Sequence, residues 1–226
     1  MASFTTRPVV MGRKGVVASG HYLASAAGFR ILEQGGNAFD AATAVCLCQN
    51  LVEPQSCGIS GAAPTVIYTA AAGRPYALSG MGWSPEAFTI DWCREHGIDL
   101  IPGDGFLPAC VPSVVGSWAL ALARFGTMSF TQVLQPAIEL ADEGFALYPS
   151  LQQALRSGYE KYTELYPTTG EVYLPGGRIP DVGEVIRNPD WAGVLKGMCR
   201  AEKEAAGVAL VAGIEAAAAY FYRGPV

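Results

Sequence analysis

The sequence is short of charge. Of its 226 residues only 15% are Asp, Glu, Lys or Arg, and 50% are hydrophobic. Soluble domains carry about 25% charged residues on average. Disordered chains combine high charge with low hydrophobicity, so intrinsic disorder is excluded. The 15 cations are also dispersed, Arg13-Lys14 being the densest pair. Nucleic-acid binding needs a concentrated basic patch, and none is present. Only two histidines occur, His21 and His96, and no C-x-x-C. Cys46 and Cys48 lie two apart, a spacing that diverges on a helix, so no metal site is expected. Long apolar runs are missing as well. The N-terminus has no apolar segment after a basic start, which argues against a signal peptide. The most apolar late stretch, Val208 to Tyr222, contains Glu215 and is shorter than the roughly 20 residues of a membrane span. It reads as a buried or partner-covered helix. Six cysteines without a disulfide or metal pattern fit buried free thiols in a reducing, cytoplasmic setting.

What is there has helical and hairpin periodicity. Residues 16–20 read as a short strand ending in a turn. His21 to Gln34 has the 3.6-residue period, stopped by Gly35-Gly36. Asn37 is a good N-cap with Asp40 in the first turn. The helix it opens, Ala38 to Leu51, has almost no polar face, which predicts burial on all sides. Pro64 to Thr69 and Pro75 to Ser79 form a hairpin candidate around Gly73. Residues 97–112 read as loop. Ser113 reads as the cap of a helix through Arg124. Ser129 opens a further helix from about Phe130 to Glu143, closed by Gly144. Leu151 to Leu165 is expected as one helix, 167–189 as a Gly/Pro-rich connector, and Asn188-Pro189 as the start of a helix to about Lys203. No internal repeat appears.

Local chemistry alone leaves alternatives. His21 is either a helix-start residue or a functional group. The Ser56–Gly61 loop is either a connector or a set of backbone N–H groups aimed at an anion. Trp83 either stacks on a substrate or belongs to the core.

Several ordered motifs carry more. His21-Tyr22-Leu23-Ala24-Ser25, Gly35-Gly36-Asn37-Ala38-Phe39-Asp40-Ala41-Ala42 and Val52-Glu53-Pro54-Gln55-Ser56-Cys57-Gly58-Ile59-Ser60-Gly61 come first. Val111-Pro112-Ser113-Val114-Val115-Gly116, Arg124-Phe125-Gly126, Pro136 to Phe145 and Phe221-Tyr222-Arg223-Gly224 follow in order. Together they resemble the gamma-glutamyltranspeptidase family over nearly the whole chain. The resemblance implies an α/β (α+β) fold: part of an αββα N-terminal-nucleophile hydrolase sandwich, incomplete in this chain. Residues 1–226 would be the N-terminal portion of the large subunit. Family members are made as one precursor that cuts itself, and the new N-terminal threonine attacks an amide carbonyl with its own α-amine as base. That threonine would lie beyond Val226, on the downstream small subunit, so no catalytic residue is assigned here. The implied partners are that subunit and a small-molecule amide; no cofactor, nucleic acid or membrane is expected. The alternative is a non-catalytic remnant or binding module that keeps the fold.

Two departures from the family pattern bear on specificity. Members acting on gamma-glutamyl groups carry an arginine after the hairpin, in a pattern like D-G-R-x-x-x-P. Here Ser79-Gly80-Met81-Gly82-Trp83-Ser84-Pro85 aligns with it, and Met81 takes the arginine's place. A thioether cannot replace a bidentate guanidinium. Met81, Gly82 and Trp83 are therefore the candidate substrate-binding residues, for an amide anchored otherwise than by a gamma-glutamyl carboxylate. The family's glycine run after Gly-Ile is also replaced, by Ser60-Gly61-Ala62-Ala63-Pro64. Side chains and a proline restrict the backbone there.

Overall fold

The computed structural model describes residues 9–205 and 209–226. Helix α1, Tyr22–Glu33, starts where the His21 ring nitrogen Nδ1 accepts the Leu23 N–H. His21 is thus a helix-start residue, as one of its two readings had it. The Gly35-Gly36 break leads to α2, Ala38–Val52, whose first turn is a capping box. The Asn37 side chain accepts from Phe39 and Asp40, and the Asp40 carboxylate accepts the Asn37 N–H at 2.7 Å. Two terminal donors and the N-cap's own N–H are satisfied at once.

The hairpin follows as β1, Thr65–Thr69, and β2, Arg74–Leu78, paired antiparallel with Ile67 opposite Tyr76. A short helix α3, Ile90–Glu95, precedes an irregular stretch. Helix α4 spans Val114–Phe125 and α5 Phe130–Glu143. The Ser129/Gln132 capping box opens α5, and Gly144 ends it with a φ of 90°. Then come β3, Phe145–Ala146, and α6, Pro149–Ser157. The expected single helix from 151 to 165 is interrupted at Gly158, and a wide π-type turn, Lys161–Leu165, takes its second half. The 167–189 stretch is more regular than expected for a connector. It contains helix α7, Pro167–Tyr173, and β4, Val185–Ile186, which pairs with β3. An Arg178–Glu184 ion pair, together with the Asp181 N–H on Glu184, braces its turn. Helix α8, Pro189–Ala205, starts with the Asn188 side chain on the Trp191 N–H, and α9 spans Leu210–Arg223. The start of the late apolar stretch, at Val208, lies outside the described residues.

The main core lies among α1, α2, α4, α5, α8 and α9, around Ile31, Leu47, Leu122, Phe130, Leu195 and Ile214. A second cluster gathers Leu51, Val52, Phe145, Leu147, Leu151 and Ile186. No helix among the described residues is long and apolar enough to cross a membrane.

Two expectations change here. Residues 16–20 form no strand, because a strand needs a hydrogen-bonded neighbour and this segment pairs with none among the described residues. Nor is α2 buried all round. Its Ala41, Ala44, Leu47 and Cys48 face is covered, whereas Ala38, Ala42, Val45 and Cys46 border a groove of about 660 Å³ shared with Val16, Val17 and Trp118. Burial still dominates at the thiols: desolvation pushes Cys46 up to about 11 and Cys48 up to about 12.

Two buried carboxylates join distant parts of the chain. Asp40 takes the Thr127 N–H, the Thr127 hydroxyl and the Met128 N–H, besides its own N-cap. Glu202, on α8, takes the Phe130 and Thr131 N–H groups and the Thr131 hydroxyl at the start of α5. Negative charge is favourable at a helix N-terminus, so Glu202 docks α8 onto α5.

Candidate functional site

The exit of the hairpin turns sharply at Gly80, whose φ of 56° lies in the left-handed region. A Cβ there would also collide with the Ala63 carbonyl. Glycine is required on both counts. The Gly80 carbonyl accepts the Ala63 N–H at 2.7 Å, which ties the hairpin exit to the loop before β1. Two residues on, Gly82 presses against the Val111 carbonyl so closely that any side chain would overlap it. The Val111 N–H in turn donates to the Trp83 carbonyl at 2.9 Å. Three segments therefore meet: 58–63, 80–83 and 110–113.

Met81 and Trp83 project from this junction, 58% and 84% exposed. Trp83 is not a core residue, which closes that alternative. Gly82 is half-buried between them. No cation stands between Arg74 and Arg94 in the sequence. Arg74 sits at the far end of β2 with its guanidinium over the Tyr76 ring, 4.8 Å from the centroid. The wall made by Met81 to Trp83 is thus apolar and uncharged.

Ser113 departs from its expected role. It occupies the N-cap position of α4, but its hydroxyl makes no capping bond. It reaches instead the carbonyls of Gly61 at 3.0 Å and Gly80 at 2.8 Å. The Gly116 N–H, inside the first turn, donates to the Tyr222 phenol from α9, which itself donates to the Pro112 carbonyl.

A family model described as Gamma-glutamyltranspeptidase matches residues 24–226. The chain belongs to the gamma-glutamyltranspeptidase family. It is 34% identical over 206 residues to the Acylase ACY 1 proenzyme of Pseudomonas sp. (strain V22), covering 87% of this chain and 37% of that protein. It is 37% identical over 179 residues to the Glutathione hydrolase-like YwrD proenzyme of Bacillus subtilis (strain 168), covering 77% of this chain and 33% of that protein. The cephalosporin acylase structure from Bacillus halodurans superposes with a TM-score of 0.84 at 30% identity, over 99% of this chain and 40% of that one. The chain therefore spans 33–37% of the length of these two curated relatives. Its helices and two short antiparallel ladders are a partial piece of the N-terminal-nucleophile hydrolase fold of this family.

Within this gamma-glutamyltranspeptidase-family chain, the residues singled out from the motifs do come together. Met81, Gly82 and Trp83 share one junction with the Gly58–Ala63 loop and the Val111-Pro112-Ser113 segment. The part played by Ser113 was not legible. Its partners lie 52 and 33 residues away, and nothing local marks them.

Proposed function

We propose that this chain is the N-terminal portion of a gamma-glutamyltranspeptidase-like amidohydrolase or acyltransferase acting through an autoprocessed threonine on the downstream small subunit. It supplies scaffold and one wall of the substrate site. The threonine hydroxyl attacks the amide carbonyl as its α-amine takes the proton. The C–N bond then breaks, the leaving amine carries that proton away, and the acyl group left on the threonine oxygen passes to water or an amine. The Met81–Trp83 wall meets the acyl part of the substrate. A buried α-carboxylate without a cationic partner costs several kcal/mol, about 3–5 when one member of a buried pair is removed. The preferred substrate is therefore an amide whose acyl group is not held as a gamma-glutamyl carboxylate.

The observation that carries this specificity is Met81, exposed at the hairpin exit where the family's arginine is expected, with Arg74 engaged on Tyr76. Resemblance to two proteins named as acylases supports the same reading. A reducing, cytoplasmic location belongs to it too, supported by six unpaired thiols. Nothing observed favours a non-catalytic binding module.

Expression of this chain together with its downstream reading frame tests the proposal. Self-cleavage before a threonine and hydrolysis of simple acyl amides in preference to gamma-glutamyl anilides is the expected result. An uncut product without turnover over a broad amide panel overturns it.

A further inference from the structure

We infer that Ser113 is a positioning residue: its single hydroxyl clasps the hairpin exit to the Gly58–Gly61 loop and so sets where Met81 and Trp83 stand. This rests on the reading of that wall as the substrate site.

Three contacts cross the junction through backbone groups alone: Ala63 to Gly80, Val111 to Trp83, and Ser113 N–H to Gly61. Each joins two of the three segments. The Ser113 hydroxyl touches both of the other segments at once, sharing one proton between the Gly61 and Gly80 carbonyls. Gly80 immediately precedes Met81, so the clasp acts one residue from the candidate side chain.

The hydroxyl is also diverted from the work its position predicts. A serine at an N-cap ordinarily accepts an N–H of the first turn. Here that acceptor role is taken in part by the Tyr222 hydroxyl oxygen, which receives the Gly116 N–H. The Ser113 side chain is left for the tertiary contact.

The clasped segments are mostly exposed and carry little apolar burial: Gly58, Ser60, Gly61, Met81 and Trp83 all face outward. Segments of this kind open locally at small free-energy cost. One hydrogen bond then has a visible effect on their population.

The test uses the full-length protein, with Ser113→Ala, Ser113→Thr, Met81→Ala and Trp83→Ala. Hydrogen exchange is followed in peptides covering 58–63 and 79–84, and KM and kcat are measured on the best acyl amide of the panel. Ser113→Ala should speed exchange in both peptides and raise KM about fivefold, with little change in kcat, since one ordinary hydrogen bond corresponds to about that factor. Ser113→Thr keeps the hydroxyl and should restore both readouts. Unchanged exchange and KM in Ser113→Ala, while the Met81 and Trp83 variants alter amide selectivity, overturns the clasp and leaves the site reading standing. Unaltered selectivity in the Met81 and Trp83 variants overturns the site reading, and the exchange data still decide the clasp.

Discussion

Asp40 and Thr127 meet across 87 residues, the carboxylate accepting both the N–H and the hydroxyl of the threonine. Asp40 is fully buried and also takes the Met128 N–H. One side chain thus starts α2 and fixes the link between α4 and α5.

Replacement of Asp40 by alanine leaves the buried Met128 N–H and the partly exposed Asn37 and Thr127 donors without this acceptor. A buried unsatisfied donor costs about 1–3 kcal/mol and a partly exposed one less, so Asp40→Ala should lower stability by about 2–3 kcal/mol. Asp40→Asn turns one acceptor into a donor facing an N–H and should lose most of the same amount. Urea unfolding of the full-length protein measures it. A loss below about 0.5 kcal/mol, the range of ordinary surface substitutions, contradicts the assignment.

Glu202 gives a second, independent measurement. Its carboxylate takes three donors at the start of α5 while 4% exposed. Glu202→Gln should cost about 2 kcal/mol through the lost charge at the helix end and one mismatched donor. Thr131→Val removes the hydroxyl alone and should cost about 1 kcal/mol. Equal losses from the two variants would show that the backbone donors are not held by Glu202.

His21 sets a pH dependence. Its ring is buried, stacked on Tyr22 at 4.6 Å and near Tyr148 at 4.8 Å. Burial lowers its pKa below the ordinary 6.5, and the nearby Glu53 carboxylate opposes this only in part. The unfolded chain therefore binds the proton more readily than the folded one. Stability is unaffected well above pH 6.5 and falls as the pH drops through 6.5 toward the depressed folded value. Protonation of Nδ1 also removes the lone pair that accepts the Leu23 N–H. Asn is a good N-cap that does not titrate, so His21→Asn should flatten the profile below pH 6.5. An identical slope in both proteins would rule His21 out as its source.

Met81 is the direct probe of specificity. Met81→Arg in the full-length enzyme should raise kcat/KM for gamma-glutamyl anilides about tenfold or more, the worth of one charged hydrogen-bonded pair. Unchanged or poorer gamma-glutamyl turnover would show that Met81 does not stand at the arginine's place.

These residues also show which parts of the molecule could be read ahead of its structure. The Asn37/Asp40 and Ser129/Gln132 boxes lie within four residues, and hairpin pairing needs only a turn and alternation. Local rules of that kind survive folding. Residues 16–20 failed as a strand because pairing is supplied by another segment, not by the segment itself. The 151–165 helix failed at Gly158, where a helical pattern runs on through a residue that stops it. Met81 was legible only by alignment to a family motif, since a methionine announces no chemistry. Ser113 misled, because its position is a cap while its hydroxyl answers to Gly61 and Gly80.

The Tyr222 phenol has a consequence for the order in which the molecule assembles. It stands across 106 residues from the Gly116 N–H it satisfies. Helices are costly to nucleate, and a first turn without its caps frays. The first turn of α4 therefore waits for α9 to dock, and the Ser113 end of the junction with it. The wall beside Met81 should be among the last parts of the chain to become rigid, and among the first to loosen when α9 lifts away.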